Sequence, residues 1–466
     1  MWTPSEERIS SSQMMDYIHF VNRKYSFSFS SYSELYQWSV KESSEFWSSF
    51  WEYSKIIYHT PYQNVVDDIN KMPGAKWFAG SSLNFSENLL RHRNKNIAIR
   101  FYNENGEESQ LTYIELYEKV AHLASSMRKM GVGKNDRVVG LLPNIPESVI
   151  AMLATSSIGA IWSSCSPDFG LQGILDRFEQ ITPKLLFAAN KYQYNGKIID
   201  CMQKVLSLSS QITSIEQTII ISSKLDSQFI AHSNLLDWKD FLDEASFEII
   251  FDSLPFDHPL YILYSSGTTG KPKSIVHSAG GTLIQHIKEL QLHTDISDKD
   301  TIFYYTTCGW MMWNWLISSL SLGATIILYD GSPFFGNGNI LLNMIDELKI
   351  TVFGTSAKYI STLESKNIIP KVLSKFPSLR TILSTGSPLI DKNFNFVYSS
   401  WKKDVQLSSI SGGTDIISCF ALGNPILPVH CGEIQSIGLG MKVESLDNNG
   451  KKLINKKGEL VCSSAF

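Results

Sequence analysis

The chain has 466 residues, 43% of them apolar and 18% charged, with 41 basic against 45 acidic side chains and a formal net charge of −4. Such a length corresponds to about three domain-sized units with material for a large core. The near balance of charge, with no dense basic run, argues against a nucleic-acid partner. The six cysteines show neither CxxC nor metal-ligand spacing, and the polar start MWTPSEERISSSQ has no apolar signal region, so a cytoplasmic protein with reduced thiols is expected.

Residues 1–95 are rich in Ser, Tyr, Phe and Trp and read as an N-terminal extension. Tyr32, Leu35 and Tyr36, then Phe46, Trp47, Phe50 and Trp51, fall at helical spacing, which predicts a helical lid carrying aromatic stripes. MPGAKWFAGSSLNFSENLL follows as an extended connector ending in a short helix.

From residue 96 to 430 the pattern is α/β. Tyr113–Met130 is an amphipathic helix with Leu116, Val120, Leu123 and Met127 on one face. RVVGLLP is a buried strand. The next helix starts at Pro146, runs to Ile158 and stops at Gly159. AIWSSCS is a strand, Leu171–Ile181 a helix and KLLFAAN a strand. TIFYYTT, ATIILYD, LLNMIDELKI, TVFGTS and LRTILSTG repeat the alternation. Short apolar strands separated by helices predict parallel sheets covered on both faces, with ligands beyond the carboxyl ends of the strands. The uncharged run Thr301–Tyr329 is long enough to span a bilayer, but Asn314, its serines and Gly323-Ala324 favour a buried helix (about 311–321) leading into a strand (325–329), and no membrane partner is expected. Residues 431–466 change to short alternating pieces with a DNNG hairpin turn and read as a small β subdomain.

The stretch YILYSSGTTGKPKSIVH carries the chemistry. An apolar strand empties into a loop of Gly, Ser, Thr and Lys, whose close-approaching backbone, hydroxyls and point charges suit phosphate oxygens. The Walker pattern does not fit: Gly267 and Gly270 are too close, and Pro272 follows Lys271. A solvated Ser/Gly turn is the bland alternative. The order S-S-G-T-T-G-K-P-K over Ser265–Lys273, however, resembles the phosphate loop of the acyl- and aryl-adenylate-forming enzymes.

Further stretches are similar to the acetyl-CoA synthetase branch of that family. They are SYSELYQWSVKESSEFW, the connector, TTCGWMMWNW, STGSP, SSISGGTDI and GELVC, so the resemblance spans nearly the whole chain. On GWMMWNW and SGGTDI it is strongest to members that activate acetoacetate. The resemblance implies a large α/β adenylate-forming domain and an AMP-forming acid–thiol ligase. Its substrates would be acetoacetate, ATP and CoA, with Mg²⁺ as cofactor. Ser265, Ser266, Gly267, Thr268, Thr269, Gly270, Lys271 and Lys273 would hold the phosphates. Lys271 and Thr414 would act in catalysis, with Thr414 on the α-phosphate, and Asp415 would bind Mg²⁺. Asp415 could otherwise be a helix N-terminal charge ahead of IISCF. Gly386, Ser387 and Pro388 would face Ser411, Gly412 and Gly413 across the adenine. Trp310, Met311, Met312, Trp313, Thr385 and Gly412 would line the acyl pocket, Gly412 standing where acetate-specific relatives place Trp; core packing is the alternative for the Trp/Met cluster. Phe169, Gly170 and Lys197 would lie on the CoA side. His277 and Cys308 read as packing residues.

The family pattern continues beyond GELVC with a ribose-binding Asp, a hinge and a C-terminal lid domain bearing a lysine. None of these falls within the 466 residues. A truncated chain of impaired activity is therefore expected, or one completed by a separate C-terminal fragment from a split gene. A ligase for acetate, propionate or butyrate, and a non-catalytic nucleotide-binding remnant, remain as alternatives.

Overall fold

Two seven-stranded sheets form the body of the computed structural model, which describes residues 1–221, 234–265 and 270–466. The first runs in the order Leu235–Asp237, Gln217–Ile221, Leu185–Ala189, Arg137–Leu141, Ile161–Cys165, Pro259–Ser265, Lys273–Ser278. The second runs Gln406–Ser409, Thr381–Thr385, Val352–Ser356, Thr301–Tyr304, Thr325–Asp330, Ile97–Asn103, Glu108–Thr112. Each is parallel except for one antiparallel edge pair. The α/β reading therefore holds. The inner strands are buried on both faces, as Leu185–Ala189 and Ile161–Cys165 are along their whole length, which is why they read as unbroken apolar runs.

The connecting helices follow their local signals. Tyr113–Lys129 starts at a capping box in which Thr112 Oγ1 accepts from the Glu115 amide and Glu115 reaches back to the Thr112 amide. Pro146 opens Pro146–Ser157, where its missing N–H costs nothing. The apolar run splits as expected into Met311–Ser318, a 3₁₀ turn Ser319–Leu322 and the strand Thr325–Asp330. No helix among the described residues is long and apolar enough to cross a membrane.

The aromatic extension forms the helices Tyr32–Lys41 and Ser43–Tyr53. Two earlier helices, Glu6–Ser11 and Gln13–Tyr25, were hidden by serines. Those serines are N-caps: Ser5 and Ser12 accept from the amides of Arg8 and Met15. Tyr17 packs its ring 5.7 Å from Phe50 and 5.0 Å from Tyr53, so the helices share one aromatic core. The extension is tied to the body through Tyr32 Oη to the Ile437 carbonyl, Tyr36 Oη to that of Met441 (3.1 Å) and the Gly440 amide to Ser39 Oγ (2.9 Å).

Near the end of the chain Val443–Leu446 pairs with Glu459–Cys462. DNNG does make a hairpin turn, the Gly450 amide donating to the Asp447 carbonyl at 2.9 Å and Leu446 bridging antiparallel to Lys452, while the longer partner strand Glu459–Cys462 comes later in sequence.

Candidate active site

Three strands of the second sheet, two of them adjacent and the third separated from them by Val352–Ser356, deliver loops to one place at their carboxyl ends. Thr301–Tyr304 leads to Trp310–Met312, Thr381–Thr385 to Gly386–Leu389, and Gln406–Ser409 to Ile410–Thr414. These loops line a cavity of about 520 Å³, within the roughly 300–1,000 Å³ common for small-molecule sites. Gly386 turns the chain at φ +89°, a conformation costly for a side chain, and brings the GSP loop onto the Trp310 indole.

The cavity gathers all six residues expected around adenine: Gly386, Ser387, Pro388, Ser411, Gly412 and Gly413. It also takes in Trp310, Met311, Met312 and Thr385 from the expected acyl pocket, together with Thr414. Trp313 is not among its lining residues. That indole is fully buried and donates from Nε1 to Asn144 Oδ1 at 3.0 Å, which makes it a core residue behind the wall. The segment Gly432–Ile434, where the sequence changes texture, adds a further side of the cavity.

The strands Pro259–Ser265 and Lys273–Ser278 pair antiparallel, with Ser265 directly opposite Lys273. Pro272 precedes a strand here, in keeping with its bias against helix at Lys271. Gly270, Lys271 and Lys273 are exposed, whereas Ser266, Gly267, Thr268 and Thr269 lie outside the described residues. Gln180 Nε2 donates to the Pro272 carbonyl at 3.0 Å and ties the returning strand to the body.

Thr414 and Asp415 sit in a turn in which the Ile417 amide donates to the Thr414 carbonyl at 3.3 Å. The strand Ser418–Leu422 follows, so Asp415 is not the N-terminal charge of a helix. Asp415 is exposed, and no group of three or more His, Cys, Asp or Glu able to hold a metal occurs among the described residues. A lone carboxylate fits Mg²⁺, which keeps waters and takes its other oxygens from phosphates.

His277 is buried against this turn. Burial pulls its pKa down to about 4, against the opposing pull of the Thr414 backbone and the Asp415 charge, so the ring is neutral at pH 7. Cys308 is fully buried, its thiol pushed up by burial and directed at the Pro143 carbonyl (3.2 Å), so it offers no thiolate.

On the expected CoA side, Gly170 is the N-cap of Leu171–Phe178, and the Arg177 guanidinium lies 4.6 Å from the centroid of the Phe169 ring. Lys197 is exposed at the start of Lys197–Asp200. Sequence reasoning missed Lys204, whose Nζ donates to the Pro167 and Phe169 carbonyls at 2.6 and 2.7 Å and so holds the PDFG loop. It also missed Gln285, His286 and Glu289, which lie beneath the cavity. Their sequence, TLIQHIKELQLH, reads as an amphipathic helix with a wet face, and only the fold reveals that this face is covered.

Comparison with known proteins gives two family matches. Residues 85–466 match "AMP-binding enzyme" and residues 32–89 match "Acetyl-coenzyme A synthetase N-terminus". The chain is 47% identical to the acetoacetyl-coenzyme A synthetase of Rhizobium meliloti (strain 1021), over 100% of its own length and 72% of that protein's. It is 48% identical to the acetoacetyl-CoA synthetase of Gallus gallus (99% and 71%) and 39% identical to the malonamoyl-CoA synthetase of Penicillium aethiopicum (99% and 68%). The solved structure of acetoacetyl-CoA synthetase from Streptomyces lividans superposes with a TM-score of 0.94 at 39% identity, covering 100% of this chain and 72% of that one.

Proposed function

Because the chain belongs to the AMP-binding enzyme family, in the branch marked by the acetyl-coenzyme A synthetase N-terminus, we propose that it is an acetoacetate–CoA ligase. In the first step the acid's carboxylate attacks the α-phosphate of ATP, forming acetoacetyl-AMP and releasing pyrophosphate. In the second, the thiol sulfur of CoA attacks the acyl carbon, giving acetoacetyl-CoA and AMP. The relatives named for acetoacetate and for malonamate share one feature in those acids, a carbonyl on the β carbon. This supports a short 3-oxo acid as the substrate class.

The observation that carries the reading is the single cavity. Loops from three parallel strands bring the residues expected for adenine, for the acyl group and for the α-phosphate into one enclosure. The first step brings two anions together, and at an effective dielectric near 20 unit charges ~4 Å apart repel by ~4 kcal/mol. Lys271 and Lys273 are suited to offset this repulsion on the phosphate side, with Ser265 and Gly270 beside them. Thr414 is suited to donate to the α-phosphate. Asp415 would hold Mg²⁺, which when bound supplies positive charge to the phosphate oxygens. Neutral His277 supports the backbone of this turn and takes no proton. Phe169, Gly170 and Lys197 are assigned to CoA, with Lys204 fixing the loop that carries the first two. A cytoplasmic location agrees with the six cysteines, all of them free.

ATP–pyrophosphate exchange driven by acetate, propionate, butyrate, malonamate and acetoacetate tests this. Acetoacetate is expected to give the highest kcat/KM. Butyrate should follow within about 10–200-fold, since apolar contacts alone discriminate weakly. Exchange fastest with acetate would favour the simple short-acid ligase. ATP binding without exchange for any acid would favour a nucleotide-binding remnant.

A further inference from the structure

The helix Ala279–Ile287 runs on into a π-helical turn, Lys288–His293. Every residue from Thr282 to Leu290 is buried, although Gln285, His286, Lys288 and Glu289 are polar or charged. Groups of this kind are stable in a core only when they are partnered. Three of the four serve one short segment, Ile417–Cys419, through its backbone and the Ser418 hydroxyl. Gln285 Nε2 donates to Ser418 Oγ at 2.7 Å. His286 Nε2 bonds the Ile417 carbonyl at 2.7 Å; a carbonyl only accepts, so Nε2 carries the proton and Nδ1 accepts from Ser318 Oγ at 2.8 Å. Glu289 accepts through Oε1 from the Cys419 amide (3.0 Å) and from Ser418 Oγ, and through Oε2 from Trp315 Nε1 at 2.9 Å.

This cradle holds a strained segment. Ile417 has φ +48°, a left-handed conformation that a β-branched residue adopts only when its surroundings impose it. The segment is also part of the cavity, since Ser418 and Cys419 line it. Gly412 pairs with Cys419 across the two strands. A Cβ on Gly412 would fall on the Ser418 carbonyl oxygen and within 2.8 Å of Cys419 Cα. Strand Ser418–Leu422 thus occupies the space that a side chain at 412 would need, and the depth of the acyl end depends on where that strand sits.

We propose that Glu289 is a positioning residue for acid selectivity: it holds Ser418 and Cys419 against Gly412 and so fixes the size of the acyl end of the cavity without touching substrate. The inference rests on the ligase reading. It predicts that acyl recognition and nucleotide recognition separate when the cradle is damaged.

The test is calorimetric titration of the whole chain with AMP and with 5′-O-sulfamoyl adenosines carrying acetyl, butyryl or acetoacetyl groups, on wild type, E289Q and S418A. E289Q places an amide nitrogen among three donors. It is expected to weaken the acetoacetyl compound about tenfold or more and to erode its preference over butyryl, with AMP affinity within about twofold of wild type. S418A, which removes the hydroxyl shared by Gln285 and Glu289, is expected to weaken the same compound about threefold. Parallel loss of AMP and acetoacetyl binding would overturn the inference, as would unchanged selectivity in both variants. Should E289Q fail to fold, W315F, which removes the donor to Glu289 Oε2 from outside the cavity lining, decides by the same criteria. If wild type shows no preference for acylated compounds over AMP, the ligase reading falls and this inference falls with it. A wild-type preference left intact in the variants removes only the role of Glu289.

Discussion

Two polar segments lie close together in sequence and behave oppositely. The segment Gly270–Lys273 shows exposed lysines to solvent, while the helix that begins six residues later, at Ala279, buries nearly all its polar groups against protein. Both break an apolar context with Ser, Thr, Lys, Gln or Glu. The partners of the first are expected on a ligand, and those of the second are already in place at Ile417–Cys419. A polar residue in an apolar stretch is therefore a question about its partner, and the answer decides whether its loss removes chemistry or moves a wall.

The sharpest way to break the comparison is to remove the exposed charges. K271A/K273A is expected to lower acetoacetate-dependent ATP–pyrophosphate exchange at least about 100-fold, as for removal of preorganised donors elsewhere. Its melting temperature should match wild type, since both side chains are exposed. A large loss of stability would show that these lysines serve the fold.

Next in size is G412A. Its Cβ would collide with the backbone of Ser418 and Cys419, so the wall must retreat or the strand pair distort, at about 1–3 kcal/mol by denaturant unfolding. Acid selectivity in the exchange assay should relax at the same time. Unchanged stability with unchanged selectivity would mean that the strand is not fixed by its own cradle.

The smallest expected effect is a pH dependence away from the cavity. Burial, reinforced by Glu104, raises the pKa of Asp330 to about 7. The folded chain therefore binds more protons here than the unfolded chain between about pH 4 and 7, and stability falls as pH rises through that window. D330N removes the group. Its unfolding free energy relative to wild type should be more favourable at pH 8 than at pH 5; the opposite ordering would contradict the assignment.

What the sequence revealed followed partnership. Apolar strands between helices announced the two parallel sheets, because both partners of such strands are apolar layers. The hydroxyl- and glycine-rich loop, the GSP turn and SGGTD could be read as a candidate site because their order resembles the nucleotide-facing loops of a known family. Gly412 could be picked out as an unusual residue, but not the fact that strand Ser418–Leu422 fills the space beside it. Trp313 shares its helix start with Trp310 yet turns to Asn144. Lys204 lies seven residues beyond Lys197 and secures the PDFG loop. Glu289 and His286 look like a solvated face until the strand they hold is known. Each of these depends on a contact distant in sequence that no local pattern encodes.

The most direct measurement is a crystal structure of the chain with a non-hydrolysable ATP analogue and Mg²⁺. The account predicts adenine between Gly386–Pro388 and Ser411–Gly413, the triphosphate reaching from Thr414 toward Lys271, and the metal beside Asp415. An empty cavity, or nucleotide bound away from these loops, would contradict it.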